Sequence, residues 1–229
     1  MAAGAGVSSA MTAAALTPPA PPGLPPDWQA RLRRRLGAAP VHDLAQCRVG
    51  TQRASGLASL PEAITVAAVL VPIVLHPEAP SLLLTLRASH LRSHAGQISF
   101  PGGRLEPTDS DLAAAAVRET QEEIGIDGSR IELLGFLSDQ IIRSGYRITP
   151  VVALLRPGFT ITPDSTEVAE VFELPLAFAL TAGNYRSRPG RTRGLSFEIW
   201  ELPYGERNIW GATAGILANL RELLAGDDE

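Results

Sequence analysis

The chain changes character at about Leu57, where apolar runs typical of β-strands begin to alternate with polar turns. The predicted strands are Ile64–Leu75, Ser81–Arg87, Ile98–Phe100, Ile131–Ser138, Tyr146–Arg156, Glu167–Glu173 and Leu195–Leu202. Helices are predicted from Asp109 or Ser110 to Ile124, at Pro175–Leu180 and at Ala212–Leu224. Because strands and helices do not alternate strictly, the pattern favours an α+β fold, in which a mixed β-sheet is flanked by helices.

The first 40 residues lack this pattern. Residues 1–26 are rich in alanine and proline and contain no acidic residue. The basic stretch Trp28–Leu36 follows two prolines and predicts a short surface helix. We therefore interpret residues 1–40 as a disordered extension with this short helix, and residues 57–225 as the folded domain. An organellar targeting peptide is the alternative, but no arginine precedes Arg31 and no cleavage pattern is clear.

Composition excludes several classes of protein. The 229 residues are 45% hydrophobic and carry a formal net charge of −4, which is typical of a globular protein and does not indicate nucleic-acid binding. The longest apolar run, Ile64–Leu75, is shorter than the ~20 residues that a membrane-spanning helix needs. The single cysteine, Cys47, excludes an intramolecular disulfide and a cysteine-based zinc site. These features fit a cytoplasmic protein without a membrane partner, and the sequence is compatible with a homodimer.

Three carboxylates occur at helical spacing in the segment from Arg118 to Ile126. Glu119, Glu122 and Glu123 stand at positions i, i+3 and i+4, so they share one face of the predicted helix. Three like charges on one stripe disfavour a helix, and a divalent cation removes that penalty. Oxygen ligands of this kind suit Mg²⁺ or Mn²⁺, which can polarise a phosphoryl oxygen and activate a water molecule.

A solvated acidic helix face is the alternative interpretation of these carboxylates. Two neighbouring features argue against it. Arg118 directly precedes the cluster and could orient a carboxylate through a bidentate contact. Gly102 and Gly103 lie upstream, where backbone amides can approach a phosphate without an intervening Cβ. The combination is more specific than either feature alone.

The segment Gly103 to Ile126 resembles the Nudix box, Gx5Ex7REUxEExGU, in which U is a bulky aliphatic residue. Its second half matches through Arg118, Glu119, Glu122, Glu123, Gly125 and Ile126. The first half departs from the pattern, because Asp109 replaces the expected glutamate and eight residues, not seven, separate it from Arg118. This departure leaves a role for Asp109 open.

An upstream stretch resembles the coenzyme A pyrophosphatase branch of the Nudix family. Its signature, LLTxR(S/A)x3Rx3Gx3FPGG, is matched by Leu83–Ala88, Arg92, Gly96 and Phe100–Gly103. Shorter matches occur at Ser144–Tyr146 with Thr149-Pro150, and at Ile209–Gly211 with Thr213–Gly215. The resemblance covers roughly Ala63 to Leu224.

The resemblance implies an α/β/α sandwich and hydrolysis of the pyrophosphate of coenzyme A, which gives 3′-phosphoadenosine 5′-phosphate and 4′-phosphopantetheine. It implies Glu119 and Glu123 as metal ligands, with Glu122 as either a third ligand or the water-activating base. The resemblance also implies that Arg118 is a catalytic residue and that Gly102 and Gly103 contact the substrate.

Other candidate residues have two interpretations each. Arg87 and Arg92 either grip phosphate oxygens of the substrate or form structural salt bridges. We interpret His90 and His94 as loop residues, and Tyr146 and Trp210 as packing residues. The alternative functions are cleavage of another nucleoside diphosphate derivative, such as NADH, ADP-ribose or a dinucleotide, and non-catalytic nucleotide sensing.

Overall fold

The computed structural model describes residues 24–25, 27–40, 46–49, 52–53, 64–91, 93–142, 145–192 and 195–225. The helices are α1 (Trp28–Arg35), α2 (Leu112–Ile124), α3 (Leu176–Leu180) and α4 (Ala212–Ala225), with short 3-10 helices at Gly128–Arg130 and Ala182–Asn184. The strands are β1 (Arg48–Val49), β2 (Gln52–Arg53), β3 (Thr65–Val74), β4 (Ser81–Arg87), β5 (Ile98–Ser99), β6 (Gly102–Arg104), β7 (Ile131–Phe136), β8 (Gln140–Ile141), β9 (Tyr146–Leu155), β10 (Val168–Pro175), β11 (Arg186–Thr192), β12 (Leu195–Tyr204) and β13 (Arg207–Trp210).

A large mixed sheet forms the centre of the molecule, in the order β10-β4-β3-β9-β8-β1-β2. Strands β3 and β9 pair in parallel over their whole lengths, whereas β4 and β10 pair antiparallel. Both long central strands are rich in β-branched residues, and most of their residues are buried, as expected for strands covered on both faces. The predicted mixed sheet flanked by helices is confirmed.

The two faces of this sheet carry different helices. Residues Ala68 and Leu70 of β3 pack against α2, whereas the alternate residues Val71 and Ile73 belong to the core cluster that also contains the apolar residues of α3 and α4. The sheet is therefore the middle layer of an α/β/α sandwich. Among the described residues, no helix combines the length and the apolar character needed to span a membrane.

Helix α1 lies on the same face as α4. Trp28 and Leu32 are buried in the core, whereas Arg33 and Arg34 in the last turn of the helix are exposed. The guanidinium of Arg35 donates a hydrogen bond to the carbonyl of Leu223 at 2.9 Å, near the C-terminal end of α4. The predicted helix thus packs as part of the domain core. Residues 1–23, for which disorder is predicted, lie outside the described residues.

The sheet separates between β3 and β4, and this separation positions the candidate site. Strand β4 pairs with β3 only where Leu82 and Ser81 face Ile73 and Val74. Farther along, β4 pairs with β5 and β3 pairs with β6, so the segment that contains β5 and β6 fills the gap between the diverging strands. Because α2 packs against β3 and β6, its carboxylates are brought to the glycines of β6.

Candidate active site

The helix that carries the carboxylates has a defined start and end. The side chain of Asp111 accepts a hydrogen bond from a first-turn backbone amide at 2.8 Å and caps the N-terminus of α2. Gly125 ends the helix in the left-handed conformation, with φ 74°, as the sequence predicts. The predicted cap, Asp109 or Ser110, is wrong, because the Asp109 carboxylate is already occupied by Arg118.

Glu123 is the most buried carboxylate of the site. Its side chain is only 4% exposed. One carboxylate oxygen accepts a hydrogen bond from the amide of Gly102 at 3.2 Å, and the other lies 3.3 Å from Nη1 of Arg87. Burial raises the pKa of Glu123 to about 7, against the opposing effects of Arg87 and the Gly102 amide. The negative charge of Glu123 is therefore only partly compensated by the protein.

Glu119 lies one helical turn earlier and packs against Gly103. A Cβ atom at Gly103 would lie 2.3 Å from Oε1 of Glu119, a distance at which the two atoms could not coexist. Burial raises the pKa of Glu119, and the Coulomb attraction of Arg118 opposes that rise. Glycine at position 103 thus makes room for the carboxylate beside β6.

Arg118 ties the acidic groups together. Its Nε and Nη2 atoms donate to the two carboxylate oxygens of Asp109 at 2.9 and 3.0 Å, which is a bidentate contact. Its Nη1 atom donates to Glu119 at 3.0 Å and to Glu122 at 2.9 Å. The hydrogen bonds from Arg118 lower the pKa of Asp109. Asp109, whose role the sequence left open, is therefore the carboxylate that orients Arg118.

The three carboxylates of the stripe do not share one environment. Glu119 and Glu123 lie against Gly103 and Gly102, whereas the side chain of Glu122 is 59% exposed. Among the described residues, no group of three or more His, Cys, Asp or Glu side chains converges as a ready-made metal site. Two carboxylates are nevertheless sufficient for Mg²⁺, which takes the rest of its ligands from water and substrate. The incompletely compensated charge of buried Glu123 fits such a cation.

Another carboxylate, just before β10, faces this region, although no motif in the sequence pointed to it. Glu167 immediately precedes β10, and its Oε2 lies 3.9 Å from Nη2 of Arg87. Its negative charge helps to raise the pKa of both Glu119 and Glu123. Glu167 is thus close enough to influence the site, although it is remote in sequence and outside the helical stripe.

The remaining sequence candidates are dispersed. Arg87 forms ion pairs with Glu123 and Glu167, whereas Arg92 lies outside the described residues. His90 hydrogen-bonds to the carbonyl of Thr166 and His94 to the side chain of Gln97, as loop residues would. Trp210, interpreted from the sequence as a packing residue, is 39% exposed on β13.

Comparison with known proteins connects this geometry to a family. The family model of the NUDIX domain matches residues 65–190, which is more than half of the chain. A protein named uncharacterized Nudix hydrolase NudL, from Escherichia coli O7:K1, is 46% identical over 154 residues, which are 67% of this chain and 80% of that protein.

Solved structures with a similar arrangement are more distant in sequence. A MutT/nudix family protein from Enterococcus faecalis is 19% identical, with a TM-score of 0.46, over 71% of this chain and 63% of that chain. The NUDIX domain of Shewanella oneidensis NrtR, complexed with ADP-ribose, is 21% identical, with a TM-score of 0.41, over 52% of this chain and 77% of that chain. The family-model match and the 46% identity together show that this chain belongs to the Nudix hydrolase family.

Proposed function

We propose that this protein hydrolyses the pyrophosphate of coenzyme A or an acyl-coenzyme A, giving 3′,5′-ADP and the corresponding (acyl-)4′-phosphopantetheine. Nudix hydrolases cleave pyrophosphate bonds in nucleoside diphosphate derivatives, and they generally use divalent metal ions such as Mg²⁺ or Mn²⁺. The choice of coenzyme A rests on the signature that runs from Leu83 to Gly103 and on its position in the fold.

One observation supports this proposal above the others. Two residues of the signature that are not adjacent in the chain, Arg87 and Gly102, contact the same carboxylate. Arg87 at the end of β4 lies 3.3 Å from one oxygen of Glu123, and the Gly102 amide of β6 lies 3.2 Å from the other. These contacts bring the signature to α2, the helix that carries the three carboxylates. This location supports a role of the signature at the candidate site.

The roles of the residues follow from their environments. Glu119 and Glu123 would hold the cation, because both carboxylates lie largely out of solvent beside the β6 glycines. When bound, the cation supplies charge stabilisation at the phosphoryl oxygens and lowers the pKa of a water molecule. The carboxylate of Glu122 is exposed, and its oxygen that Arg118 does not contact could accept a proton from a water molecule or reach the cation itself. Arg118 fixes Glu119 and Glu122 relative to each other.

Product analysis tests the proposal directly. The purified protein is incubated with Mg²⁺ and, separately, with coenzyme A, several acyl esters, NADH, ADP-ribose and nucleoside triphosphates. We expect 3′,5′-ADP and phosphopantetheine from coenzyme A, with a higher kcat/KM than for any non-coenzyme substrate. A strong preference for ADP-ribose or NADH would replace coenzyme A as the substrate. Binding without turnover of any member of the panel would indicate a nucleotide sensor.

A further inference from the structure

Three arginines of the described part adjoin the candidate active site, and they differ in whether a carboxylate neutralises their charge. Arg87 is paired with Glu123 and Glu167, and Arg118 is paired with three carboxylates. Arg104 is exposed, and within the described ranges its guanidinium hydrogen-bonds only to the phenol of Tyr146. It is therefore the cation of this group whose charge no described carboxylate neutralises.

Arg104 is fixed next to the carboxylates by its backbone. It directly follows Gly103, against which Glu119 packs, and its carbonyl accepts a hydrogen bond from Arg118 at 3.2 Å. Consecutive Cα atoms are ~3.8 Å apart, so the backbone of Arg104 lies directly beside the position against which Glu119 packs.

The strand register places the Arg104 side chain on the other face of β6. Gly103 pairs with Ala68, which packs against α2, and Arg104 pairs with the preceding residue, Ala67. Because successive residues of a strand point to opposite faces, Arg104 is directed away from α2. Tyr146 pairs with Thr65, two residues before Ala67, and so lies on the same face as Arg104.

Tyr146 holds the guanidinium in one orientation. Its hydroxyl oxygen accepts hydrogen bonds from Nε and Nη2 of Arg104 at 2.9 and 2.5 Å. The guanidinium carbon also lies 5.5 Å from the centre of the phenol ring, within the range of a cation–π contact. These contacts use two of the five N–H donors of the arginine and leave three for a ligand.

We propose that Arg104 binds a phosphate monoester of the substrate that lies outside the cleaved pyrophosphate, and that Tyr146 positions it. In coenzyme A this group is the 3′-phosphate, so the inference rests on the proposed function. A guanidinium with free donors, held in a fixed orientation, matches the tetrahedral oxygens of a phosphate, and its location separates this contact from the cation-binding carboxylates. The assignment gives Tyr146 a positioning function that its sequence context does not indicate. It adds Arg104 to the arginines that the sequence predicts at the substrate, Arg87 and Arg92.

Coenzyme A and dephospho-coenzyme A differ only by the 3′-phosphate. Comparing their kinetics therefore tests whether Arg104 binds this phosphate. We expect the wild-type protein to prefer coenzyme A in kcat/KM. Arg104→Gln should lower kcat/KM for coenzyme A by about 10- to 100-fold, mainly through KM, which is the scale of a lost charge-assisted contact. The loss for dephospho-coenzyme A should be much smaller, so that the preference disappears. Arg104→Lys should retain part of the preference, because it keeps the charge.

Two further variants test the geometry. Tyr146→Phe keeps the ring and removes the hydroxyl acceptor, so we expect a smaller rise in KM, and no additional loss when it is combined with Arg104→Gln. Arg156→Gln is the matched control: Arg156 is an exposed arginine just beyond the far end of β9, roughly 30 Å from Tyr146 at ~3.3 Å per strand residue. We expect it to leave both substrates unaffected.

A binding measurement separates this inference from the proposed function. Calorimetric titration with adenosine 3′,5′-bisphosphate and with AMP needs no turnover. We expect the wild-type protein to bind the bisphosphate at least tenfold more tightly than AMP, and Arg104→Gln to abolish the difference. If the protein instead hydrolyses only ADP-ribose or NADH, the substrate proposal fails and this titration still decides the role of Arg104. An unchanged preference in Arg104→Gln, in either assay, overturns the inference.

Discussion

At the scale of single residues, Glu123 is a buried carboxylate, and we propose that it is a ligand of the cation. We predict that Glu123→Gln weakens Mn²⁺ binding and lowers kcat by at least ~100-fold, because the variant removes one charge from the cation site while keeping the size of the side chain. Calorimetric Mn²⁺ titration and steady-state kinetics measure the two effects. Gln121→Glu is the control, since residue 121 is exposed on α2. Near wild-type turnover by Glu123→Gln would show that Glu123 does not hold the catalytic cation.

The raised pKa of Glu123 also has a consequence for stability. An acid whose folded-state pKa lies at about 7, above its ordinary 4.5, binds its proton more tightly in the folded state. Glu123 should therefore contribute a loss of stability in the metal-free protein as the pH rises from ~4.5 to ~7, by at most roughly 3 kcal/mol, and Glu123→Gln should lack this contribution. Urea unfolding in chelator at pH 5 and pH 8 tests this prediction. A stability difference between variant and wild type that stays constant with pH contradicts it.

The adjacent glycines of β6 predict opposite phenotypes. A Cβ at Gly103 meets the end of the flexible Glu119 side chain, whereas a Cβ at Gly102 lies 2.3 Å from the backbone oxygen of Ala68, at φ 153°. Gly103→Ala should displace the carboxylate and lower kcat by tenfold or more, with little change in Tm. Gly102→Ala should lower Tm markedly, because backbone must move. Equal losses of Tm in both variants would refute the distinction.

The sequence could identify the carboxylates, but it could not distinguish their environments. Spacing places Glu119, Glu122 and Glu123 on one stripe, and nothing in the helix itself distinguishes Glu122 from its neighbours. The distinction arises from β6, which covers Glu123 and Glu119 and leaves Glu122 exposed. Glu167 approaches the site from β10, so its contribution depends on tertiary structure and has no local signal.

At the scale of secondary-structure elements, apolar strands were predictable, whereas polar strands that contain glycine were not. Strands β3, β4 and β9 follow the predicted runs within one residue, because burial on both faces demands continuous apolar sequence. Strand β6 contains two glycines and β11 contains Pro189-Gly190, which are turn signals. Proline is tolerated in β11 because that strand lies at the edge of its sheet and pairs only with β12 among the described strands.

Helix α1 provides an element-scale prediction. Leu32 is fully buried in the core beside α4, so Leu32→Ala should lower the free energy of unfolding by about 2–4 kcal/mol. We expect kcat to remain within twofold, because α1 packs on the opposite face from α2. Chemical denaturation and steady-state kinetics provide the two measurements. Arg34→Ala, at an exposed position of the same helix, is the control, and equal stability of both variants would show that α1 does not contribute to the core.

At the scale of the whole molecule, the candidate site joins parts that only the complete sheet brings together. Its residues come from β4, β6 and α2. The proposed cation ligand Glu123 lies on α2, and its carboxylate contacts Arg87 of β4 and Gly102 of β6. The metal-free protein should therefore be active only after Mg²⁺ or Mn²⁺ is added, and a saturating cation should raise Tm, because it binds the folded chain. Activity assays and thermal unfolding in excess EDTA, with metal removal verified by elemental analysis, test both. Full turnover under these conditions would contradict the mechanism.

The extra residue between Asp109 and Arg118 shows which part of the motif tolerates changes in length. Helix α2 runs without interruption from Leu112, so the offsets among Arg118, Glu119 and Glu123 are set by the helical repeat alone. Asp109 lies before the helix and still reaches Arg118. We therefore expect an insertion or deletion of one residue before the helix to be nearly neutral, whereas one between Glu119 and Glu123 would rotate the carboxylates by about 100° relative to one another. Natural variation in this family should accordingly accumulate as indels before the helix, and a motif search that fixes the upstream spacing will miss active members.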